Sequence, residues 1–179
     1  MKLLNVVDLD RTLISIDSFR YLVLKNLNIS LFVLIVLRRL GLISRDTLAR
    51  KAAVNLSKIL SDDGEMQKFV EHLVSKVNGE VLEKVNRNCG DDSVTVILSA
   101  SPQEYVSRFA ERYGFLGVGS HWDGLNYFHC HGSNKVKYLE SRFARDEYIY
   151  NFAISDSKSD IDLLSLFRTG ELFENEKSR

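Results

Sequence analysis

The chain has little of what would mark several large protein classes. Its 179 residues include two cysteines, Cys89 and Cys130, with no CxxC spacing. That excludes a disulfide framework and a paired-cysteine zinc or redox motif, and fits reduced thiols in a cytoplasmic setting. Basic and acidic residues balance at 24 each, so there is no electrostatic footprint for nucleic acid. Long apolar runs are missing. Ile29 to Leu37 is almost wholly apolar, but it is about half the ~20 residues a membrane span requires. It predicts a buried helix, with contact to lipid or a greasy substrate as the alternative. Proline occurs once, and there is no internal repeat or low-complexity linker. No secretory signal is expected, because a strand begins at Leu3. What remains is a 45% apolar chain, enough for one core and a substantial insertion.

The first chemical signal stands at the end of that strand. Leu3 to Val7 reads as a buried strand and runs into Asp8-Leu9-Asp10-Arg11-Thr12. Strand side chains alternate faces, which predicts Asp8 and Asp10 on one side. Two like charges there repel unless a proton or a cation lies between them. A hard divalent ion with oxygen ligands, such as Mg²⁺, suits the pair. Beside such an ion a carboxylate can act as a nucleophile and form an acyl phosphate.

From Asp17 to Asn88 the pattern is helical throughout. Asp17 or Ser18 caps a helix to about Leu27, and a second runs from Ile29 to Leu40 with Gly41 as its terminator. Ser44 caps a third, from Arg45 to about Leu60, with Leu48, Ala52, Leu56, Ile59 and Leu60 on one face. Asp62 or Asp63 opens a region to about Asn88 with a break near Gly79. Strand character returns at Val94 to Leu98 and ends in Ser99-Ala100-Ser101. Ser101-Pro102-Gln103-Glu104 then reads as a helix start capped by Ser101, running to about Tyr113. His121-Trp122-Asp123-Gly124-Leu125 predicts a hairpin. A helix from Asn134 to Ala144, a strand from Tyr148 to Ile154 and a helix from Asp160 to Arg168 follow, with a fraying polar tail. Strands alternating with helices imply a parallel sheet, whose ligands bind beyond the strands' carboxyl ends. Three strands end there in polar clusters: Asp8 and Asp10, Ser99, and Asp156 with Asp160.

Taken in order, these segments resemble the haloacid dehalogenase superfamily of aspartate-nucleophile phosphatases. Asp8-Leu9-Asp10-Arg11-Thr12 is similar to its DxDxT motif, Ser99 to the second motif, Lys135 to the third, and Ser155-Asp156-Ser157-Lys158-Ser159-Asp160 to the fourth, usually GDSxxD. The helical block between the first two motifs looks like the cap of the phosphoserine-phosphatase-like branch. The resemblance implies an α/β fold, a Rossmann-like core of residues 1–14 plus 91–179 interrupted by an all-helical cap of residues 15–90. It implies Mg²⁺-dependent hydrolysis of a phosphate monoester through an aspartyl-phosphate. Asp8 would be nucleophile and metal ligand. Asp10 would be general acid and then base, with its backbone carbonyl on Mg²⁺. Thr12 would orient the motif and join Ser99 and Lys135 among the phosphate-binding side chains. Asp156 would complete the metal site, and Asp160 would steady its surroundings or Lys135. The substrate would be a small polar metabolite or a hydrophobic, lipid-linked phosphate. Transfer to an acceptor alcohol, or phospholigand binding without catalysis, are the other outcomes.

Physical chemistry supports these roles. Phosphoryl transfer asks for positioning and charge neutralisation. Lys135 near a helix N-terminus is disfavoured by the helix dipole unless it has an anionic partner; Lys137 is its rival. Two departures stand out: Arg11 where glycine is common, reaching either substrate or solvent, and Ser155 where glycine is usual. Asp17 is read as a helix cap rather than a substrate contact. His129-Cys130-His131 is read as surface near the site mouth rather than a metal site, and Trp122 and Tyr127 as packing.

Overall fold

The structure is a computed structural model and describes residues 1–174. At its centre β1 (Lys2–Val7) lies between β2 (Ser93–Pro102) and β5 (Tyr148–Ser155). Outside β2 come β3 (Leu116–Asp123) and β4 (Asn126–Phe128), and outside β5 comes β6 (Thr169–Leu172), giving the order β4-β3-β2-β1-β5-β6. Every pairing is parallel except β3 with β4. This is the mixed α/β, Rossmann-like sheet expected. The central strand is the first in sequence, so the loop after Val7 opens at the middle of the sheet's carboxyl edge, where a doubly wound fold forms its binding crevice.

Between β1 and β2 lie α1 (Ser18–Lys25), α2 (Ile29–Arg39), α3 (Arg45–Asn55), α4 (Ser57–Leu60), α5 (Asp63–Val74) and α6 (Gly79–Arg87). Their starts are written locally: Asp17, Asn28, Ser44, Asp62 and Asn78 each accept a bond from a backbone N–H at the start of α1, α2, α3, α5 and α6. The helix expected over Arg45–Leu60 breaks at Leu56, whose side chain is buried. The break expected near Gly79 covers residues 75–78. There the chain pairs with the stretch after the first motif: Ser15 N–H donates to the Lys76 carbonyl at 2.9 Å, and Asn78 N–H to the Leu13 carbonyl at 2.8 Å.

The helical block does not stand apart from the sheet. α7 (Gln103–Glu111) covers one sheet face, and α5 lies against it through an edge-on Phe69–Tyr105 contact at 5.0 Å and through ion pairs of Asp63 with Arg108 and Glu71 with Arg112. Leu22, Leu31, Ala52, Met66, Val81 and Val85 of the block share one apolar core with Val7, Ile97 and Ile154 of the sheet. The opposite face packs Leu4, Val6, Val96 and Leu98 under α8 (Ser133–Arg142) and α9 (Ile161–Leu164).

Three expectations are corrected. β3 is a full strand where only the hairpin tip at residues 121–125 was expected. Its Gly117 and Gly119 weaken the strand signal, but a Cβ there would lie 2.6 Å from the Val106 carbonyl oxygen and 2.5 Å from that of Ser101, so glycine is required for α7 to close on the sheet. The helix expected over Asp160–Arg168 is a 3₁₀ turn at Lys158–Asp160 followed by the four residues of α9. Thr169–Leu172 is an edge strand rather than a fraying tail, and Gly170 fits under α9 where a Cβ would meet the Leu164 carbonyl oxygen at 2.2 Å. The rest of the expected tail, residues 175–179, lies outside the described residues.

Candidate active site

β1 ends at Val7, so strand alternation does not set Asp8 and Asp10. A loop does. Asp8 N–H donates to the Ile154 carbonyl at 3.0 Å, and the Asp8 and Leu9 carbonyls accept from Leu13 and Ile14 at 3.2 and 2.9 Å. The turn carries Arg11 at φ 59, among the described residues the one non-glycine in the left-handed region. That is the physical reason glycine suits this position. The two carboxylates share a cavity of about 740 Å³ but have different neighbours.

Asp8 is in charged surroundings. Lys135, brought in by the first turn of α8 and 3% exposed, donates to Asp8 Oδ1 at 2.6 Å and to Asp160 Oδ2 at 2.7 Å. Lys137 is exposed and plays no part in this cluster. Ser155 Oγ also donates to Asp160 Oδ2, at 2.8 Å. The serine that replaces the usual glycine therefore anchors the acid that anchors Lys135. Asp160 Oδ1 is buried with no hydrogen-bond partner among the described residues. Thr12 is fully buried and does not line the cavity. Its Oγ1 lies 3.5 Å from Asp8 Oδ2 and 3.4 Å from Asp156 Oδ1, and accepts from Asp156 N–H at 2.9 Å. Thr12 ties two acids together rather than facing a phosphate.

Asp10 is in neutral surroundings. Its Oδ1 accepts from the Ser18 N–H at the start of α1 at 2.6 Å, and its Oδ2 from Ser101 Oγ at 2.6 Å and Ser99 Oγ at 3.4 Å. Behind them the hydroxyls of Ser18, Ser101 and Tyr105 are linked at 3.2 and 3.0 Å. Ser101 was expected to cap α7. Instead Pro102 starts that helix with no side-chain cap bond, and Ser101 turns to Asp10. The polar run Ser99-Ala100-Ser101 was the visible signal for it. Ser18 was marked only as a candidate helix cap, and nothing in sequence marked Tyr105.

These surroundings set proton affinities. Burial raises the Asp8 carboxyl to about 7 against the pull of Lys135. Burial also raises Asp10, which Ser101 and Ser18 oppose by bonding its charged form. Asp156, half-buried, is raised by burial against Arg11 and Lys135. Lys135 is disfavoured by burial, but Asp8 and Asp160 more than compensate and hold its ammonium charged.

Asp8, Asp156 and the Asp10 backbone carbonyl offer only hard oxygens. Buried Asp8 and half-buried Asp156 both have raised proton affinity and meet at one threonine hydroxyl, so the residues fit a small divalent cation. Among the described residues no group of three or more His, Cys, Asp or Glu forms a metal cluster. A Mg²⁺ site needs only one or two carboxylates, because the ion keeps several waters. The His129-Cys130-His131 run does not converge. The two imidazoles stack at 5.4 Å at the cavity wall, while Cys130 is buried in the opposite core with its thiol pushed up to about 12 by burial.

The helical block roofs the cavity. Phe19, Val23 and Leu24 of α1, Ile35 of α2, and Leu48 and Ala49 of α3 give an apolar wall, with Arg20 and Arg45 among them. On the α3 side this roof meets the core through Asp46 with His129 Nδ1, and Arg45 Nη1 with His131 Nε2 at 3.3 Å. Asp17 caps α1, as expected, and also pairs with Arg11 at 3.3 Å. Arg11 lines the cavity. Trp122 and Tyr127 pack edge-on across the hairpin at 5.2 Å.

The model of the haloacid dehalogenase-like hydrolase family matches residues 6–165. The fold is similar to a HAD family hydrolase from Salmonella enterica subsp. enterica serovar Typhi at TM-score 0.69 and 14% identity, covering 93% of this chain and 60% of that one. The chain thus spans less than two thirds of that hydrolase. A protein of unknown function from Bordetella pertussis Tohama I is similar at TM-score 0.66 and 15% identity, with 92% and 86% of the two chains covered. A phospho-aspartyl intermediate analogue of phosphoserine phosphatase is similar at 0.55 and 12%, with 93% and 83% covered. No curated protein matches the chain in sequence.

Proposed function

The chain belongs to the haloacid dehalogenase-like hydrolases, and from that premise we propose that it is a phosphatase acting on phosphate monoesters through an aspartyl-phosphate on Asp8. The observation that carries this is the pairing in one cavity of a carboxylate held by an ammonium with a second carboxylate held by hydroxyls and an N–H. A nucleophile needs its charge, and Lys135 supports it. A general acid needs its proton, and burial supports that at Asp10. The fold likeness to a phosphoserine phosphatase caught as a phospho-aspartyl analogue is a supporting analogy.

In the proposed reaction an Asp8 oxygen attacks phosphorus, and the bond to the ester oxygen breaks. Asp10 gives its proton to that oxygen, and the alcohol leaves. Asp10, now a base, takes a proton from water. That water attacks phosphorus, releasing orthophosphate and restoring the Asp8 carboxylate. Ser99 and Lys135 neutralise and orient the phosphoryl oxygens. Mg²⁺, when held by Asp8, Asp156 and the Asp10 carbonyl, supplies further positive charge against the same oxygens. Asp160 and Ser155 keep Lys135 in place. Residues 1–14 and 91–179 form the catalytic unit and 15–90 the cap. Within the cap, α2 to α4 act as the lid, since Ser18 ties α1 to the core and α5 is paired to α7. The apolar roof favours a leaving group with a hydrophobic part over a wholly polar one.

The test is turnover of p-nitrophenyl phosphate with Mg²⁺, followed by acid quenching during turnover. We expect phosphate release and a hydroxylamine-labile phosphoryl group on Asp8. Activity that survives in Asp8→Asn would overturn the reading. Phosphate passing to an added alcohol instead of water would make the protein a phosphotransferase.

A further inference from the structure

Helix α2 is apolar on two sides. Leu31 and Leu34 are buried, and Ile35 lines the cavity. Its outward side carries Ile29, Phe32, Val33 and Val36, continued by Leu40, which recur at helical spacing in one stripe. They are 85%, 56%, 46%, 37% and 66% exposed. Leu27 before the helix and Leu42 after it, at 47% and 67%, lengthen the patch. A helix that only covers a core has a polar back, and this one does not. Contiguous exposed apolar surface of this kind marks an interaction site.

The charges around it have one sign. From Ser18 through Arg45 the chain carries five basic residues, Arg20, Lys25, Arg38, Arg39 and Arg45, and no aspartate or glutamate, although the whole chain is neutral. All are exposed except half-buried Arg38. A second copy of this face in a two-fold interface would set these cations against their own kind, with no acid between residues 18 and 45 of either copy to offset them. An anionic bilayer offers the complement: apolar side chains enter the headgroup boundary while Lys and Arg meet lipid phosphates. At 11 residues, α2 lies along a bilayer rather than through it, and among the described residues no helix is long and apolar enough to cross one.

We propose that the outward face from Leu27 to Leu42 docks the cap on an anionic membrane surface. Docking there brings the cavity close to the interface, because α2 carries the outward face and also lines the cavity through Ile35. The proposal does not depend on the phosphatase reading.

The experiment is sedimentation of the full chain with vesicles of phosphatidylcholine alone and of phosphatidylcholine mixed with phosphatidylglycerol. We expect binding to the mixed vesicles that weakens with salt. Ile29→Glu with Phe32→Glu should abolish it. Arg38→Glu with Arg39→Glu should lower partitioning on the order of tenfold. Both variants should keep the parent's circular dichroism and its activity on a soluble aryl phosphate, since none of the four residues lines the cavity. No sedimentation of the parent with anionic vesicles overturns the proposal, as does binding that the glutamate pair leaves unchanged. A concentration-dependent dimer that Phe32→Glu dissolves also overturns it, assigning the face to self-association.

Discussion

Asp8 and Asp10 are two residues apart, yet the regions around them are built differently. The Asp8 side is a chain of charges: Lys135 between Asp8 and Asp160, with Asp156 drawn in by Thr12. The Asp10 side is a chain of neutral donors: Ser18, Ser99, Ser101 and, behind them, Tyr105. Asp8 is buried and Asp10 partly buried, and loss of solvent raises the proton affinity of each. On the first side a cation opposes the effect of burial, and on the second hydroxyls and an N–H oppose it. The difference teaches that two carboxylates of one loop can be given different neighbours, the contrast on which the proposed roles of nucleophile and acid rest.

The sharpest break of this contrast is removal of the proposed nucleophile. Asp8→Asn should lower kcat by at least about 10⁴-fold, measured by phosphate release. Asp10→Asn keeps the hydrogen-bond acceptor but has no proton to give. It should cost about 10²–10⁴-fold in kcat, with a smaller loss on esters of acidic phenols, whose leaving group needs no proton. Comparing p-nitrophenyl with alkyl phosphates reads that split.

The Asp8 side is sharpened by pH. Its folded carboxyl titrates at about 7, above the ordinary 3.8. The folded state therefore binds the proton more tightly, so this stabilising contribution is full at low pH and is lost as pH rises from about 4 through 7. In EDTA, thermal melting should show this falling contribution, and Asp8→Asn should lack it. Mg²⁺ competes with the proton, so it should raise the melting temperature more at about pH 8 than at about pH 5.5. Equal shifts at both would break the charge argument.

On the Asp10 side, Ser101→Ala removes a donor that stabilises the charged form. Asp10 should hold its proton to higher pH, moving the basic limb of the kcat profile upward, with a loss of roughly tenfold or less. The smallest effect belongs to the turn between the two acids. Arg11→Gly relieves a left-handed residue at φ 59, worth roughly 1–2 kcal/mol. It also adds backbone entropy of about 0.5–1 kcal/mol and breaks the half-exposed Asp17 pair, worth roughly 0–1 kcal/mol. Chemical denaturation should find a net change within about 1 kcal/mol.

Legibility followed locality. The caps at Asp17, Ser44 and Asp62 could be read because each completes a bond within three residues. The Lys135 assignment could be read from the spacing of the family motif, supported by a cation at a helix start needing an anion. β3 could not, because its glycines answer to α7 and not to the strand. β6 could not, because a short edge strand on β5 carries little pattern of its own. Ser101 was readable as polar but not as a partner of Asp10, since its cap-like neighbours Pro102 and Glu104 fit a helix start equally well.

By itself the sequence determined the family, the alternating strands and helices, and the acids, serine and lysine that gather at one sheet edge. Spacing and local hydrogen bonding are enough to write those. Only the tertiary structure decided that Thr12 binds acids together, that Ser155 anchors Asp160, that Ser18 and Ser101 hold Asp10, and that α2 keeps a second apolar face outward. Each of those depends on which atoms meet across many residues of chain, and solvent exclusion at that meeting decides the charge each one keeps.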